Sequence, residues 1–462
     1  MKKIILFALL FATTISATAD IRLPSIIGSH MVLQQKSKVK IWGWSAPGEK
    51  INVKLGWDTT NYQVTASRGA KWMIEVNTPS AGGPYAIRLK AGNEIVLEDV
   101  MIGEVWLCGG QSNMEWSGNQ KLPQSIEESP KATNTKIRFF YVPKSTSEFP
   151  QEDVQARWVV CDPSSMFQFS AIGYFFGKQV HEQTEFPVGL INSNWGGTPA
   201  EVWTPYDIVA NDPDLRATAD KLNPSQWWPH VRGEAYNAMI YPLTPYSIAG
   251  TLWYQGESNV GTHYTYRRLF TSMIDSWRKA WGKNFPFYFV QIAPYTYGDT
   301  HINGAFLREA QTQSALHPNT GMVVVSDLVD NVKDIHPTMK KEVAARLANM
   351  ALSELYGVKG LNYKSPTYAS HQVENGGIRV QFNHVPTQLI SKGGDPSDFF
   401  IAGEDGIYVP AKAKIDGKSV FVSSKQVKQP VSVRFGFTNT AMPNLFTAEG
   451  LPVNLFRAGE GK

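Results

Sequence analysis

The stretch that decides the fold is GGQSNME at residues 109–115, which directly follows the apolar run VWLC at 105–108. A serine, Ser112, therefore stands where a buried strand is predicted to end. The glycines allow a sharp turn and a close backbone approach, and Asn113 and Glu115 suit the start of a helix. A hydroxyl at this edge of an α/β sheet is typical of a nucleophile. The first N–H groups of the following helix can then face the oxyanion that forms on the attacked carbonyl. The alternative interpretation is a Gly-Gly-Gln turn with a capping serine.

The chain around this motif, from about residue 101 to 360, alternates strand-like and helix-like segments. The strand candidates are 105–108, 188–191, 250–255, 287–293 and 321–326. Residues 264–281 and 338–357 repeat apolar side chains at helical spacing. This alternation predicts an α/β fold with a mostly parallel sheet covered by helices on both faces.

The two flanking regions have a different pattern. Residues 20–100 alternate apolar and polar side chains with period two and are interrupted by glycine- and proline-containing turns, which predicts an N-terminal β-sandwich domain. The same period returns in residues 361–462, which are predicted to be a β-rich region that either completes a sheet with the N-terminal sandwich or forms its own. A chain of 462 residues exceeds what one hydrophobic core usually organises, in agreement with several domains.

The first 19 residues have the pattern of a secretory signal peptide. Lys2 and Lys3 precede an apolar run at 4–11, and Ala17-Thr18-Ala19 offers a small-x-small cleavage site before Asp20. The apolar run is much shorter than the ~20 residues that a membrane-spanning helix needs. The prediction is an exported protein, periplasmic or secreted, without a membrane span.

Charge and cysteine content exclude several classes of partner. The formal net charge of +4 falls to +2 when residues 1–19, with two lysines and no acid, are removed, and no basic stripe indicates nucleic acid binding. Cys108 and Cys161 are the two cysteines, which either pair in an oxidising compartment or serve as small buried side chains. Because no Cys-x-x-Cys or His-Glu-x-x-His spacing occurs, neither a metal nor another cofactor is predicted.

Polar loops follow four of the predicted strands. Ser112 comes after the first, and the others are followed by residues 194–198, 255–259 and 334–337. Parallel strands end at one sheet edge, so these loops are expected to converge there. Acyl transfer needs a nucleophile, a base and oxyanion donors. His336 is the candidate base because it stands before a helix after the last strand, although a His-Pro pair also occurs as a plain helix-entry feature.

These motifs resemble those of a known family. In order, they are GQSNME at 110–115, NWGGT at 194–198, WYQGESN at 253–259 and DIHP at 334–337. They resemble the sialate O-acetylesterases, a carbohydrate-esterase branch of the SGNH, or GDSL-like, hydrolases. The resemblance extends over essentially the whole mature chain and implies a three-layer αβα domain with flanking β-sandwich, jelly-roll-like regions. It further implies a serine esterase that removes O-acetyl groups from carbohydrate.

The resemblance also implies roles for individual residues. Ser112 would be the nucleophile and His336 its general base and acid. The oxyanion donors would be the N–H of Ser112, the N–H of Gly197 or Gly196, and the side-chain amide of Gln255. A carboxamide can donate to a developing alkoxide without losing a proton, and each such donor lowers the barrier by roughly 3 kcal/mol.

The group that orients His336 departs from the superfamily pattern. An acid is usual three residues before the histidine, but position 333 is a lysine and the nearest acid is Asp334. Asp334, Asp330, Asp327 or a backbone carbonyl therefore remain candidates. Asp334 is preferred, because side chains two residues apart on an extended loop point to the same side.

Substrate contacts are predicted from the same loops. The candidates are Gln111, Asn113, Trp195, Glu257, Trp227 and Trp228. Aromatic rings stack on the C–H faces of sugars, and the Trp227-Trp228 pair lies in a polar, proline-containing segment at 206–230. The alternatives are ordinary core packing for a tryptophan and a solvated side chain for Glu257.

The predicted activity is removal of O-acetyl groups through an acetyl-Ser112 intermediate. O-acetylated sialic acid is the first substrate expected from the resemblance, and acetylated xylan or pectin is the alternative. Two other classes are a lectin-like binding protein and a peptidase. The peptidase is disfavoured, because an ester needs less leaving-group assistance than an amide. Neither the sugar nor the oligomeric state follows from the sequence.

Overall fold

The structure is a computed structural model that describes residues 20–298 and 302–459, so the predicted signal peptide lies outside the described residues. The N-terminal strands are β1 (Val32–Gln34), β2 (Lys38–Trp44), β3 (Lys50–Leu55), β4 (Asn61–Thr65), β5 (Lys71–Asn77), β6 (Gly82–Lys90) and β7 (Glu94–Gly110). Strands β4, β3, β6 and β7 pair in antiparallel order, while β2 pairs with β5 in a separate sheet. Alternate side chains from both sheets, such as Ile41 and Val53, are buried in one core.

The middle of the chain contributes a mostly parallel sheet. Its further strands are β8 (Asn134–Tyr141), β9 (Trp158–Cys161), β10 (Val188–Asn194), β11 (Gly250–Tyr254), β12 (Phe287–Val290) and β13 (Thr320–Val323). The order is β13-β12-β11-β7-β10-β8-β9, and every neighbouring pair is parallel except β8 and β9. The predicted parallel sheet is therefore confirmed, although β8 and β9 were not among the predicted strands.

Strand β7 belongs to both of these sheets. Its first part pairs with β6 and with β1, and its last part pairs with β10 and β11. The domain boundary predicted between residues 100 and 101 thus falls inside one continuous strand of 17 residues. The N-terminal region is joined to the central sheet by backbone hydrogen bonding, without a linker.

Helices cover the two faces of the central sheet. They are α1 (Ser112–Glu115), α2 (Pro123–Glu128), α3 (Pro163–Gln168), α4 (Ala171–Thr184), α5 (Tyr206–Asn211), α6 (Pro213–Ala219), α7 (His263–Trp281), α8 (Asn303–Ser314) and α9 (Lys340–Glu354), with short 3₁₀ helices at Gly118–Gln120, Ser129–Lys131, Ala200–Trp203, Tyr241–Leu243 and Glu257–Thr262 and a π-helical turn at Tyr236–Ile240. Val105 and Leu107 of β7 share a core with α7, whereas Trp106 and Cys108 share a second core with α4 and α9. This three-layer arrangement confirms the predicted α/β fold class. No helix in the described ranges is long and apolar enough to cross a membrane.

The C-terminal region forms sheets of its own. Its strands are β14 (Thr367–Glu374), β15 (Gly377–Asn383), β16 (Leu389–Ser391), β17 (Phe399–Ala402), β18 (Val409–Pro410), β19 (Lys412–Asp416), β20 (Ser419–Ser423), β21 (Ser432–Phe435), β22 (Leu445–Thr447) and β23 (Phe456–Ala458). They pair among themselves around a separate core, and within the described residues none pairs with an N-terminal strand. Of the two sequence alternatives, the structure agrees with an independent β region.

The two cysteines do not form a disulfide. Cys108 and Cys161 are both free and buried. Cys108 points from β7 into the core beneath α4 and α9, and the Sγ of Cys161 lies 3.4 Å from the carbonyl oxygen of Ala132. The alternative in which each cysteine is a small buried side chain agrees with the structure.

Candidate active site

Ser112 stands at the carboxyl edge of the central sheet because the chain turns sharply after β7. Gly110 has a φ of +131°, and a Cβ atom at this position would lie 2.2 Å from the carbonyl oxygen of Tyr254 in β11. Only glycine therefore fits. The N–H of Gln111 then donates to the Tyr254 carbonyl at 2.9 Å, and α1 begins at Ser112. The turn raises the serine hydroxyl out of the packed sheet.

His336 approaches Ser112 from the loop between β13 and α9. Its Nε2 atom lies 2.9 Å from Ser112 Oγ, within reach of a hydrogen bond donated by the hydroxyl. The ring stacks on Trp116, with 4.1 Å between ring centroids and 19° between planes. Two causes lower the pKa of His336: burial of the ring, which has the larger effect, and the nearby Lys340 cation. The neutral imidazole that a general base requires is therefore favoured at neutral pH.

Asp334 is beside His336 but makes no direct hydrogen bond to its ring. One carboxylate oxygen, Oδ1, accepts the backbone N–H of His336 at 2.9 Å and lies 3.6 Å from Nδ1 of the ring. The second distance exceeds hydrogen-bond range, and the Asp334 side chain is 54% exposed. Asp334 acts on the imidazole mainly through its charge, which raises the pKa of His336 against the effect of burial.

The other two candidate acids have different partners. Asp330 accepts a hydrogen bond from the hydroxyl of Thr338 at 2.8 Å. Asp327 receives two hydrogen bonds from Arg346, each 2.7 Å long. In the part of the chain that the structure describes, no carboxylate other than Asp334 comes within 4.0 Å of the His336 ring. The structure therefore favours Asp334 among the acids.

Two backbone N–H groups near Ser112 are available to an oxyanion. The N–H groups of Ser112 and Gly197 have no acceptor among the described residues. The N–H of Gly196, in contrast, donates to Glu115 Oε2 at 2.6 Å. Of the two glycines that the sequence left open, Gly197 is the free donor. Gly197 has a φ of +80°, and the ring of Trp228 occupies the space where its Cβ would lie.

Gln255 does not face the site, which contradicts its predicted oxyanion role. The side chain is fully buried. Its amide donates to the carbonyl of Thr198 at 3.2 Å and to Asn259 Oδ1 at 2.8 Å, and its carbonyl oxygen accepts from the Tyr266 hydroxyl at 3.0 Å. Because both amide hydrogens are used inside the core, none is left for an oxyanion.

Asn113 is likewise buried and makes no contact with the cavity, so the predicted substrate role is not supported. Its amide donates to Glu257 Oε1 at 2.6 Å and to the carbonyl of Ile335 at 3.0 Å. Its Oδ1 accepts from Lys340 Nζ at 2.6 Å. Glu257 does line the cavity but is only 8% exposed, and burial raises its pKa. The alternative of a solvated Glu257 therefore does not hold.

A cavity of about 540 Å³ opens above Ser112 and His336. Of the predicted contact residues, Gln111, Trp195, Trp227, Trp228 and Glu257 line it. Trp227 is 70% exposed, and its carbonyl accepts a hydrogen bond from Trp195 Nε1 at 3.0 Å. Trp195, Trp227 and Trp228 therefore form an aromatic wall of the cavity that contains the nucleophile.

Sequence reasoning missed the charged pair at the mouth of this cavity. Lys144 Nζ donates to Glu115 Oε1 at 2.6 Å. Glu115 belongs to the motif that decided the fold, but its position suggested only a helix start. Lys144 follows β8, in a loop without periodicity or a motif. Trp116, Tyr297 and the buried Lys340 were missed for the same reason, since no local pattern marks them.

Comparison with known proteins identifies the family. The model of the carbohydrate esterase family described as sialic acid-specific acetylesterase matches residues 102–353. The chain belongs to this family. Sialate O-acetylesterase of Mus musculus is 31% identical to this chain over 422 residues, and the match covers 78% of each of the two chains. The human sialate O-acetylesterase is 31% identical over 393 residues, or 76% of this chain and 74% of its own.

A solved structure agrees with this membership. The crystal structure of a carbohydrate acetylesterase from Xanthomonas citri superimposes on the present structure with a TM-score of 0.87. The two sequences are 35% identical, and the match covers 95% of this chain and 99% of the Xanthomonas citri chain. The predicted family resemblance and enzyme class are confirmed. The protein is a carbohydrate O-acetylesterase and acts on acetylated carbohydrate. The lectin-like and peptidase interpretations do not agree with this membership.

Proposed function

We propose that the enzyme removes O-acetyl groups from a sugar through an acetyl-Ser112 intermediate. The observation that carries this proposal is the 2.9 Å separation of Ser112 Oγ and His336 Nε2 at the base of a cavity walled by tryptophan. The family membership supports the same chemistry.

In the first half of the reaction, Ser112 Oγ attacks the acetyl carbonyl and its proton passes to His336 Nε2. The oxyanion is stabilised by the N–H groups of Ser112 and Gly197. The bond between the acetyl carbon and the sugar oxygen then breaks, and His336 returns the proton to the departing sugar hydroxyl. In the second half, water attacks the acetyl-enzyme with His336 as base, which releases acetate and restores Ser112.

Two sugar classes are compatible with this chemistry. The names of the mouse and human relatives support O-acetylated sialic acid. Acetylated xylan or pectin is the alternative from the sequence, and the roles of Ser112 and His336 are the same for either. We also propose export to the periplasm or beyond, which is supported by the signal-peptide pattern of residues 1–19.

The test is hydrolysis of 4-nitrophenyl acetate and of an acetylated glycan panel by wild type and Ser112→Ala. We expect the variant to fold normally and to lose several orders of magnitude in kcat, since the nucleophile belongs to a cooperative unit. Rapid-quench mass spectrometry should find an acetylated peptide containing Ser112 in the wild type. Near-wild-type turnover by folded Ser112→Ala would overturn the mechanism.

A further inference from the structure

Tyr297 is a cavity residue with an unusual backbone conformation. It lines the cavity that holds Ser112 and His336, and its ring is half-buried. Its φ is +51°, in the left-handed region that bulky side chains rarely adopt. Such strain is concentrated at functional sites and persists only where the surrounding structure holds the residue in place. Contacts with the rest of the molecule must therefore fix Tyr297 in this conformation.

One set of these contacts comes from the C-terminal β region. The N–H of Tyr295 donates to the backbone carbonyl of Asn439 at 3.0 Å. The side-chain oxygen of Asn439, Oδ1, accepts the N–H of Gly304 at 2.9 Å. Asn439 lies between β21 and β22 and is only 7% exposed. A single C-terminal residue thus holds the chain on both sides of Tyr297.

The contact with Gly304 also caps α8. This helix has no capping side chain of its own, because the residue before its first turn is Ile302. Asn439 Oδ1 supplies the missing acceptor from 135 residues away. Arg308, one turn further along α8, is buried and donates to the carbonyl of Thr438. The C-terminal region therefore fixes the start of α8 together with the tyrosine segment.

The Tyr297 ring packs beside the same contact. A Cβ atom on Gly304 would lie 2.8 Å from Tyr297 Cε2 and 3.0 Å from Asn439 Oδ1, so these two groups fill the space above the glycine. The Tyr295 ring meets that of Tyr297 edge to face, with 4.9 Å between the centroids. The Tyr297 hydroxyl is buried and has no hydrogen-bond partner among the described residues. Packing rather than hydrogen bonding therefore positions the ring.

The tyrosine segment is also bonded to the loop that carries the base. Thr296 donates to the carbonyl of Val332 twice, from its N–H at 3.0 Å and from its hydroxyl at 2.7 Å. Val332 stands four residues before His336 in the loop between β13 and α9. The segment around Tyr297 thus connects the C-terminal region with the histidine loop.

We propose that the C-terminal β region completes the substrate-binding wall of the active site, with Asn439 as a positioning residue that holds the Tyr297 ring against the bound sugar. An aromatic ring offers a large and rigid apolar surface to the C–H face of a sugar. Tyr297 adds such a surface to the cavity that already contains the aromatic wall. The inference rests on the proposed deacetylation at Ser112 and assigns a part of its substrate site to a separate region of the chain.

A double-mutant cycle tests the role of Asn439. Wild type, Tyr297→Ala, Asn439→Ala and the double variant are assayed on the acetylated glycan that the wild type cleaves best, and 4-nitrophenyl acetate shows that each is an active enzyme. We expect KM for the glycan to rise about fivefold in Tyr297→Ala and about threefold in Asn439→Ala, with smaller changes in kcat. Because Asn439 acts through the ring, KM of the double variant should not exceed that of Tyr297→Ala.

Conservative replacements separate positioning from general stability. Asn439→Asp keeps an oxygen that accepts the Gly304 N–H, and a negative charge suits the N-terminus of α8, so KM should return to within about twofold of wild type. Tyr297→Phe keeps the ring and should recover most of the loss seen in Tyr297→Ala. A loss in Asn439→Asp as large as that in Asn439→Ala would contradict the capping contact. If Asn439→Ala does not fold, Asn439→Ser, whose shorter side chain is still polar, takes its place in the cycle.

Asn444→Ala is the matched control. Asn444 is another asparagine between β21 and β22, and its amide donates to the carbonyls of Lys392 and Asp395 within the C-terminal region. It has no hydrogen bond to the tyrosine segment among those found in the described residues, so its KM should equal that of wild type.

The outcomes separate the two proposals. A wild type that cleaves no acetyl ester overturns the proposed function. An active wild type whose KM is unchanged in Tyr297→Ala overturns only the inference on the tyrosine wall. Effects of Asn439→Ala and Tyr297→Ala that multiply in the double variant, or a rise of KM in Asn444→Ala equal to that in Asn439→Ala, overturn the positioning role of Asn439.

Discussion

Asn113 Oδ1 accepts a hydrogen bond of 2.6 Å from the buried Lys340 Nζ, which connects the residue after the nucleophile to the first turn of α9. The amide of Asn113 also donates to the carbonyl of Ile335, the neighbour of His336. One buried side chain therefore links the segments that carry nucleophile and base. This link helps to keep Ser112 and His336 within hydrogen-bond distance of each other.

Replacing Lys340 by methionine should raise the pKa of His336, because the Lys340 cation is one of the two causes that lower it. The base is the neutral imidazole, so kcat/KM increases with pH through this pKa. We expect the acid limb of the kcat/KM profile of Lys340→Met to lie at higher pH than that of wild type. A limb displaced to lower pH would contradict the electrostatic role of Lys340.

The same variant should change how stability depends on pH. The pKa of Lys340 falls from 10.5 to about 7 on folding, so between these values the unfolded chain binds more protons than the native one. The contribution of Lys340 to the free energy of unfolding thus rises with pH by up to about 1.4 kcal/mol per pH unit in this window. Urea unfolding at pH 7 and 9 should show this increase in wild type relative to Lys340→Met. Parallel pH dependence in the two proteins would show that Lys340 stays charged.

Asp334→Asn should shift the acid limb in the opposite direction. The Asp334 charge raises the pKa of His336, so its removal lowers that pKa and extends activity to lower pH. Because Asp334 Oδ1 is 3.6 Å from Nδ1 and makes no direct hydrogen bond to the ring, kcat should fall only about tenfold or less. The measurement is kcat against pH beside Asp330→Asn and Asp327→Asn. A loss that approaches the effect of His336→Ala would show that Asp334 orients the imidazole directly during turnover.

Gln255→Ala should reduce stability more than catalysis. The substitution opens a buried cavity and removes the Gln255 hydrogen bonds to the Thr198 carbonyl, to Asn259 Oδ1 and from the Tyr266 hydroxyl, a loss of about 2–4 kcal/mol in the free energy of unfolding. Chemical denaturation and kcat on 4-nitrophenyl acetate should be measured on one preparation. A 100-fold loss of kcat at unchanged stability would restore the oxyanion role.

The two adjacent tryptophans should give different kinetic effects. Trp227 is mostly exposed, so Trp227→Ala should raise KM for an acetylated oligosaccharide about threefold to tenfold with little change in kcat. The Trp228 ring packs against Gly197, whose N–H is a proposed oxyanion donor. Trp228→Ala should therefore also lower kcat on 4-nitrophenyl acetate. Equal effects of the two variants on both substrates would argue against this division.

Local patterns in the sequence determined at which edge of the central sheet the site lies. Ser112 and the segments 194–198 and 255–259 closely follow predicted apolar strands, and parallel strands must end at a common edge. Ser112 and His336, which are 224 residues apart, could therefore be placed together before their 2.9 Å contact was seen. Their prediction rested on the loops that follow the predicted strands and on the family resemblance, which implied the role of His336 as base.

The direction of each side chain within those loops was decided by the tertiary structure alone. Gln255 is the first residue after β11 and lies in the same loop as Glu257. The side chain of Gln255 is nevertheless buried and forms hydrogen bonds with Asn259 and Tyr266, whereas Glu257 lines the cavity. Lys144 becomes a site residue only because Glu115, 29 positions earlier, faces the same opening. Sequence periodicity shows which face of a regular element is buried, but after a strand ends, orientation depends on contacts between segments distant in the chain.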